Sequence, residues 1–425
     1  MKVLLLNTSE TAGGAAIAAR RLTVALRHSG VEAHLMVRDR DKSAVHQKAA
    51  EWCSAPFRHL SRLPFLRERL RIWRANGFSR ENLWRVDVAN AGLPVSCTEA
   101  FRQADVVHLH WVNQGFLSLR ELSLILQSGK RVVWTMHDMW PATGICHHAG
   151  SCRNYLTHCH DCPLLMRPGS ADLSFQTFRK KLQTYARGHI TFVTCSQWLS
   201  DQARQSALTH GHEIVTIPNT YNAEVFRPAS RADVRARLGL PAELPLLLFA
   251  SHKVTNVQKG LDYLLRALTH LTDLSLGLIV VGQQSGEAEA MGSLPFDIYP
   301  MGYVTDESRM AAIYQAADLF VTPSLEENLP NTIMEAMACG TPCVGFRVGG
   351  IPEMIDHQEN GYVAAYKDER DLAEGIRWTL AHRDEAGLAA AHKAQAVWNE
   401  QVVADRYAAL YGITTKHHRP EAPSI

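Results

Sequence analysis

The sequence predicts an α/β protein made of two doubly wound domains in tandem. Short apolar runs of strand character alternate with segments of helical spacing, and past the middle of the chain the alternation starts again. The 425 residues also exceed the roughly 250–300 at which one core stops growing, and a hydrophobic share of 46% can fill two cores.

Taken in order, VLLL (3–6) reads as the first buried strand. It is too short for the apolar region of a signal peptide and follows a single basic residue. Gly13 and Gly14 then open the helix AAIAARRLTVAL, where missing side chains let backbone approach a phosphate or an acceptor, although a plain turn also accounts for the pair. The stretch 57–78 interleaves arginines with Leu63, Phe65, Leu66, Leu70, Ile72 and Trp73, which suits either a solvated helix pair over the core or a surface for anionic lipid. VVHLHW (106–111) and VVWTMHD (132–138) are the next strands. His108 and His110 stand two positions apart on theirs, at least one as a core histidine, and His137 ends the other beside Asp138. ITFVTCS (190–196) and IVTIPN (214–219) complete the first set.

Turn residues cluster over 219–230, which places the domains at 1–222 and 223–395. LPLLLFAS (244–251), LSLGLIVVG (274–282), DLFVTPS (318–324) and PCVGF (342–346) form the second set. A closing helix over about 396–412 can pack back on the N-terminal domain, and the polar tail 413–425 is expected to be disordered. A formal charge of +2 gives no electrostatic footprint for nucleic acid. No run approaches the roughly 18 apolar residues of a membrane span, so the expectation is a cytoplasmic protein with reduced thiols.

Cys146, Cys152, Cys159 and Cys162 stand in the pattern C-x5-C-x6-C-x2-C, with His147, His148, His158 and His160 among them. Only the last pair has the short interval of a zinc knuckle. Structural zinc, unmetallated thiols and disulfides all stay open, and the short-spaced Cys and His pattern of a nucleic-acid knuckle is absent.

The stretch PSLEENLPNTIMEAMACGTPCV (323–344) bears the most chemistry. A strand ends in a loop, Pro330 suits a first helical turn, and Gly340 with Pro342 marks the end of that helix. Amides of about residues 329–332, including Leu329 and Asn331, then form an anion site at the carboxyl edge of a sheet. Glu327 sits at its mouth and Glu335 eight positions on, among apolar residues. A carboxylate there accepts two hydrogen bonds from a vicinal diol, and phosphate plus diol describes a nucleotide. Two surface glutamates on an ordinary helix would show the same spacing.

This E-x7-E segment, with TAGGAAIAARRL, DVVHLHW, WTMHD, TCSQWL, IPNTYNAEVF, KGLDYLLRAL, GGIPEMI and NGYV in the same order, resembles retaining glycosyltransferases of family 4. The resemblance runs over nearly the whole chain apart from parts of 40–95, the cysteine insert and the tail. It implies the GT-B fold, two doubly wound Rossmann-like domains facing a cleft. It implies that Glu335 holds ribose hydroxyls, that Glu327 contacts the donor sugar, and that Lys259 neutralises the leaving diphosphate. His137 then approaches the donor sugar's C6 hydroxyl. Asn328, Leu329 and Pro330 occupy a loop that is usually glycine–aromatic–glycine, and Lys253 stands where the family often has arginine. The implied route has no covalent nucleophile and requires no divalent metal. A subset of such enzymes in surface and exopolysaccharide assembly has a similar cysteine insert, here expected to shape an acceptor pocket.

The function expected is transfer of a sugar from a nucleotide-diphosphate sugar to a lipid-linked or saccharide acceptor, with peripheral contact at an anionic membrane surface. The alternatives are a nucleotide-sugar epimerase or phosphorylase of the same architecture, or a zinc-containing binding protein. Base, sugar, acceptor, linkage and oligomeric state are not specified by the residues.

Overall fold

A computed structural model describes residues 1–41, 52–57, 59–283 and 296–413. The chain divides into two compact units, the first formed by Met1–Thr194, Ala203–Ile217 and Glu400–Ile425, the second by Cys195–Gln202 and Pro218–Asn399.

In the first unit the strands are β1 (Lys2–Ser9), β2 (Glu32–Asp39), β3 (Cys53–Ser54), β4 (Val106–Leu109), β5 (Arg131–Met136), β6 (Thr191–Thr194) and β7 (Glu213–Thr216). They form one parallel sheet in the order β3-β2-β1-β4-β5-β6-β7. Val3 to Thr8 are buried without interruption, as a central strand covered on both faces requires. The helices of this unit are α1 (Gly14–His28), α2 (Arg62–Ala75), α3 (Glu99–Gln103), α4 (Leu119–Gln127) and α5 (Leu173–Tyr185), with α6 (Gln197–Gln205) divided between the two units.

The second unit has β8 (Leu246–Lys253), β9 (Gly277–Gln283), β10 (Asp297–Gly302), β11 (Leu319–Thr322), β12 (Cys343–Phe346) and β13 (Gly361–Ala364), parallel in the order β10-β9-β8-β11-β12-β13. Its helices are α7 (Arg231–Leu238), α8 (Leu261–Leu268), α9 (Glu307–Ala316), α10 (Asn331–Ala338), α11 (Ile351–Met354), α12 (Glu369–Ala381) and α13 (Arg383–Val397). Alternate residues of β8 serve opposite faces. Leu248 packs with Ile333, Met334 and Met337 of α10, and Leu247 with Leu261 and Leu264 of α8.

The last helix, α14 (Glu400–Tyr411), belongs to the first unit. Val403, Tyr407 and Tyr411 share a core with Val3, Leu5, Leu22 and Leu26. Most of the expected disordered tail, from residue 414 on, lies outside the described residues. Among the described residues no helix is long and apolar enough to cross a membrane.

In both sheets the strand order reverses once, between β1 and β4 and between β8 and β11. The carboxyl ends of strands flanking such a reversal are where a doubly wound sheet opens a crevice for a ligand.

Candidate functional site

At the β8/β11 reversal three loops press together. Gly260, at φ 72°, ends the β8–α8 connection, and a Cβ there would lie 1.9 Å from the Pro323 carbonyl oxygen. Gly349, at φ 55°, braces the other side, where a Cβ would meet the Glu327 carbonyl oxygen at 1.8 Å. Only glycine supplies both the left-handed backbone and the close approach.

Within this frame the Lys259 ammonium is ion-paired with the Glu327 carboxylate, at side-chain exposures of 34% and 14%. Glu335 is buried in α10 and accepts a hydrogen bond from the Tyr314 hydroxyl of α9 at 3.1 Å. Burial, reinforced by the Glu335 charge, pushes the Tyr314 phenol well above its ordinary range, so it stays a donor. That hydrogen bond meets part of the cost of placing a carboxylate among apolar side chains.

The loop residues have mixed roles. Asn328 Oδ1 accepts from Ser196 Oγ at 2.6 Å, Asn331 Oδ1 accepts from Asn219 Nδ2 at 3.0 Å, and Leu329 is buried. Pro330 is the N-cap, one residue before the helical turn expected for it, and its extended φ/ψ leads the chain into α10. Lys253 ends β8 exposed to solvent.

In the first unit, Gly13 caps α1 and Gly14 is its first residue, just past the carboxyl end of β1. His137 follows β5, and its Nε2 lies 3.0 Å from His110 Nδ1. His108 is a satisfied core histidine between Thr135 Oγ1 and the Tyr411 hydroxyl, at 2.7 Å each. Burial lowers His108 to about 3 and His137 to about 4, the latter against the opposing charge of Asp138, so both rings are neutral near pH 7. His137 is therefore a hydrogen-bonding group rather than a cation.

Asp138 is set by residues that spacing did not single out. It accepts from Trp111 Nε1 at 2.9 Å and Trp140 N at 2.8 Å, and it pairs with His147, which also contacts Asp87. A signal was present in WRVDVAN (84–90), where a lone Asp87 stands between two valines and requires a buried partner.

The cysteine insert corrects an expectation. Cys146, Cys152, Cys159 and Cys162 do line one cavity, of about 160 Å³, as free thiols. Among the described residues, however, no group of three or more His, Cys, Asp or Glu side chains is arranged to hold a metal ion. Burial pushes the Cys159 and Cys162 thiols up to about 12 and raises Cys146, so as free thiols they stay protonated. Zinc at these four residues is therefore not supported. Packing gives the insert a role instead, since Cys162 and Ile145 join Ile72, Val86 and Leu173 in a small core beneath α2.

A separate cavity of about 730 Å³ lies at the amino ends of β5–β7, bordered by Arg131, Thr191 and Glu213. That is the opposite end of the sheet from His137.

A family model described as Glycosyltransferase Family 4 matches residues 12–225, and one described as Glycosyl transferases group 1 matches residues 245–382. D-inositol 3-phosphate glycosyltransferases are similar over part of their length. The one from Thermobispora bispora is 35% identical over 221 residues, 47% of this chain and 50% of that protein. The one from Saccharomonospora viridis is 33% identical over 176 residues, 38% and 40% respectively. The chain thus spans half or less of these curated relatives. Among solved structures, sucrose-phosphate synthase from Thermosynechococcus elongatus superposes with a TM-score of 0.65 at 19% identity, covering 97% of this chain and 98% of the other. Anabaena HepE in complex with UDP and glucose gives 0.63 at 16% identity, covering 97% and 99%. With its two parallel-sheet units, the fold is GT-B.

Proposed function

Because the chain belongs to glycosyltransferase family 4, we propose that it is a retaining glycosyltransferase moving a sugar from a nucleotide-diphosphate sugar to a lipid-linked or saccharide acceptor in cytoplasmic polysaccharide assembly. The observation that carries this reading is the Lys259–Glu327 ion pair at the β8/β11 reversal, ahead of the amino terminus of α10.

In this reading the donor lies against the second unit. Glu335 accepts hydrogen bonds from the ribose diol, backbone amides of 329–332 face the phosphates, and Glu327 contacts donor-sugar hydroxyls. The bond from the sugar's anomeric carbon to the diphosphate lengthens first, leaving an oxocarbenium-like centre. The acceptor oxygen then bonds that carbon on the same face, and its proton passes to the departing phosphate oxygen. Lys259, helped by Lys253, offsets the charge growing on the diphosphate. Gly13 and Gly14 let the α1 backbone come close to phosphate or acceptor, and neutral His137 hydrogen-bonds the C6 hydroxyl. This route uses no divalent ion.

A thermal-shift and turnover panel of UDP-, GDP- and ADP-sugars tests the reading, with UDP-glucose first because HepE is described with UDP and glucose. A donor at a hundred times its Kd stabilises the folded state by about 2.7 kcal/mol, a readable rise in Tm. Glu335→Ala is expected to remove that rise, and EDTA to leave turnover unchanged. If no nucleotide sugar raises Tm, or Glu335→Ala alters nothing, the assignment is wrong.

Membrane contact is part of the proposal. Helix α2 buries Glu68, Arg69 and Ile72 while Leu63, Leu66 and Leu70 are 62%, 59% and 50% exposed, between exposed Arg62, Arg67, Arg71 and Arg74. Leucines bordered by arginines suit an anionic lipid surface. Co-sedimentation with phosphatidylglycerol vesicles, but not with phosphatidylcholine alone, is expected. Replacing the three leucines by Asp should abolish it, and pelleting that ignores those changes would remove the membrane from the proposal.

A further inference from the structure

The first unit contains a chain of ionic hydrogen bonds that the proposed chemistry leaves unused. His147, with 12% of its side chain exposed, has Nδ1 2.8 Å from Asp138 Oδ2 and Nε2 2.7 Å from Asp87 Oδ2. Ionised carboxylates only accept, so both ring nitrogens donate and the ring bridges them as an imidazolium.

Each end of the bridge is anchored. Asp87 is fully buried, and its other oxygen is paired with the Arg69 guanidinium of α2, which also donates to the Leu83 and Val86 carbonyls at 2.5 and 3.2 Å. The Asp87 carbonyl accepts from Trp140 Nε1 at 2.8 Å. At the far end, Asp138 accepts from the Trp111 indole at 2.9 Å and from Trp140 N at 2.8 Å, and the Trp111 ring lies 5.6 Å from the His147 ring. Trp111 N in turn donates to Asn7 Oδ1 of β1 at 3.0 Å. The chain therefore runs from a surface helix to the residues that follow β4 and β5, and it ends on the neighbour of His137.

We propose that His147 is a positioning residue whose double hydrogen bond fixes the Asp138 carboxylate and, through it, the Trp111 indole, holding the strand-end segment around His137 in one geometry. Without the bridge the two carboxylates lose their shared donor, and Asp138 is held only by Trp111 and Trp140, with nothing fixing it from the Asp87 side. The kinetic half of this inference rests on the proposed transferase activity, and the geometric half does not.

Two readouts in His147→Gln decide it. The first is the 15N–1H resonance of the Trp111 indole, assigned with Trp111→Phe, which is expected to move and broaden. The second is turnover of the nucleotide sugar selected by the donor panel. There kcat is expected to fall about 10- to 100-fold, the scale of a misplacement near 1 Å, with the donor KM within about twofold of wild type. Asp87→Asn, nearly isosteric, should reproduce both effects, and the double variant should be no worse than either single one. Asp87→Asn decides the matter if His147→Gln fails to fold. An unmoved indole resonance, or a lower Tm with kcat retained, reduces His147 to packing and overturns the proposal. If no nucleotide sugar is turned over, the transferase reading fails separately while the indole resonance still judges the bridge.

Discussion

Lys259→Ala is expected to lower kcat by about 10²- to 10³-fold, the usual cost of deleting one preorganised group that meets developing charge. The thermal transition should barely move. Lys259 sits at the end of a single turn of 3₁₀ helix, Val257–Lys259, held by Asn256 Oδ1 accepting from Gln258 N at 3.1 Å, so the loop does not depend on the lysine side chain. What changes is electrostatic. The ammonium that faces Glu327 disappears, leaving a carboxylate next to the position proposed for a diphosphate. Lys259→Arg keeps the charge in a wider fork and should recover part of the rate. Steady-state kinetics with the donor from the panel measures this, and turnover within threefold of wild type in the alanine variant would remove Lys259 from the mechanism.

Asp318→Ala is expected to destabilise the second unit by about 3–5 kcal/mol, the range for breaking a buried ion pair by deleting one partner. Asp318 is 3% exposed. One oxygen accepts from Arg235 at 2.6 Å and from Leu246 N at 2.7 Å, and the other lies 3.2 Å from Arg231 and 3.6 Å from Arg383. Arg235 is itself buried and also donates to the carbonyls of Ala316, Ala242 and Leu244 at 2.8–3.0 Å. One carboxylate thus joins α7, the starts of β8 and β11, and α13. The exposed Arg377–Asp273 pair has good bidentate distances of 2.8 Å, yet solvent screening leaves such surface pairs little net stabilisation. Asp273→Ala is the internal contrast for that reason. Urea dependence of hydrogen exchange at the β8 and β11 amides is the measurement, and equal losses in the two variants would contradict the argument.

The apolar runs read from sequence as strands sit where the sheets need them because parallel strands covered on both faces become continuous hydrophobic segments. Four strands are not read from the sequence: β13, buried throughout but led by a glycine, and three without that property. β2 includes His34 and Arg38, β3 has two residues, and β10 lies at a sheet edge. Glu327 is legible from the loop before the helix and Lys259 only through the family resemblance, but their pairing is a product of topology. The residues are 68 positions apart and meet because β8 and β11 are neighbours. The same holds for His147 and Asp87, 60 positions apart. Cysteine spacing counts donors and says nothing of their arrangement in space, which here places Cys162 in an apolar cluster and, among the described residues, gathers no metal-holding group.

Tyr407 and Tyr411 of α14 donate or accept at Thr135 and His108, at 2.9 and 2.7 Å, inside the sheet that begins with β1. The order of synthesis therefore differs from the order of assembly. Every residue of the second unit, up to Asn399, is synthesised before the helix that completes the first core. During that interval the unit with His137 has its strands but lacks one wall, and the nascent chain carries the apolar flank of α1 uncovered until Tyr411 arrives.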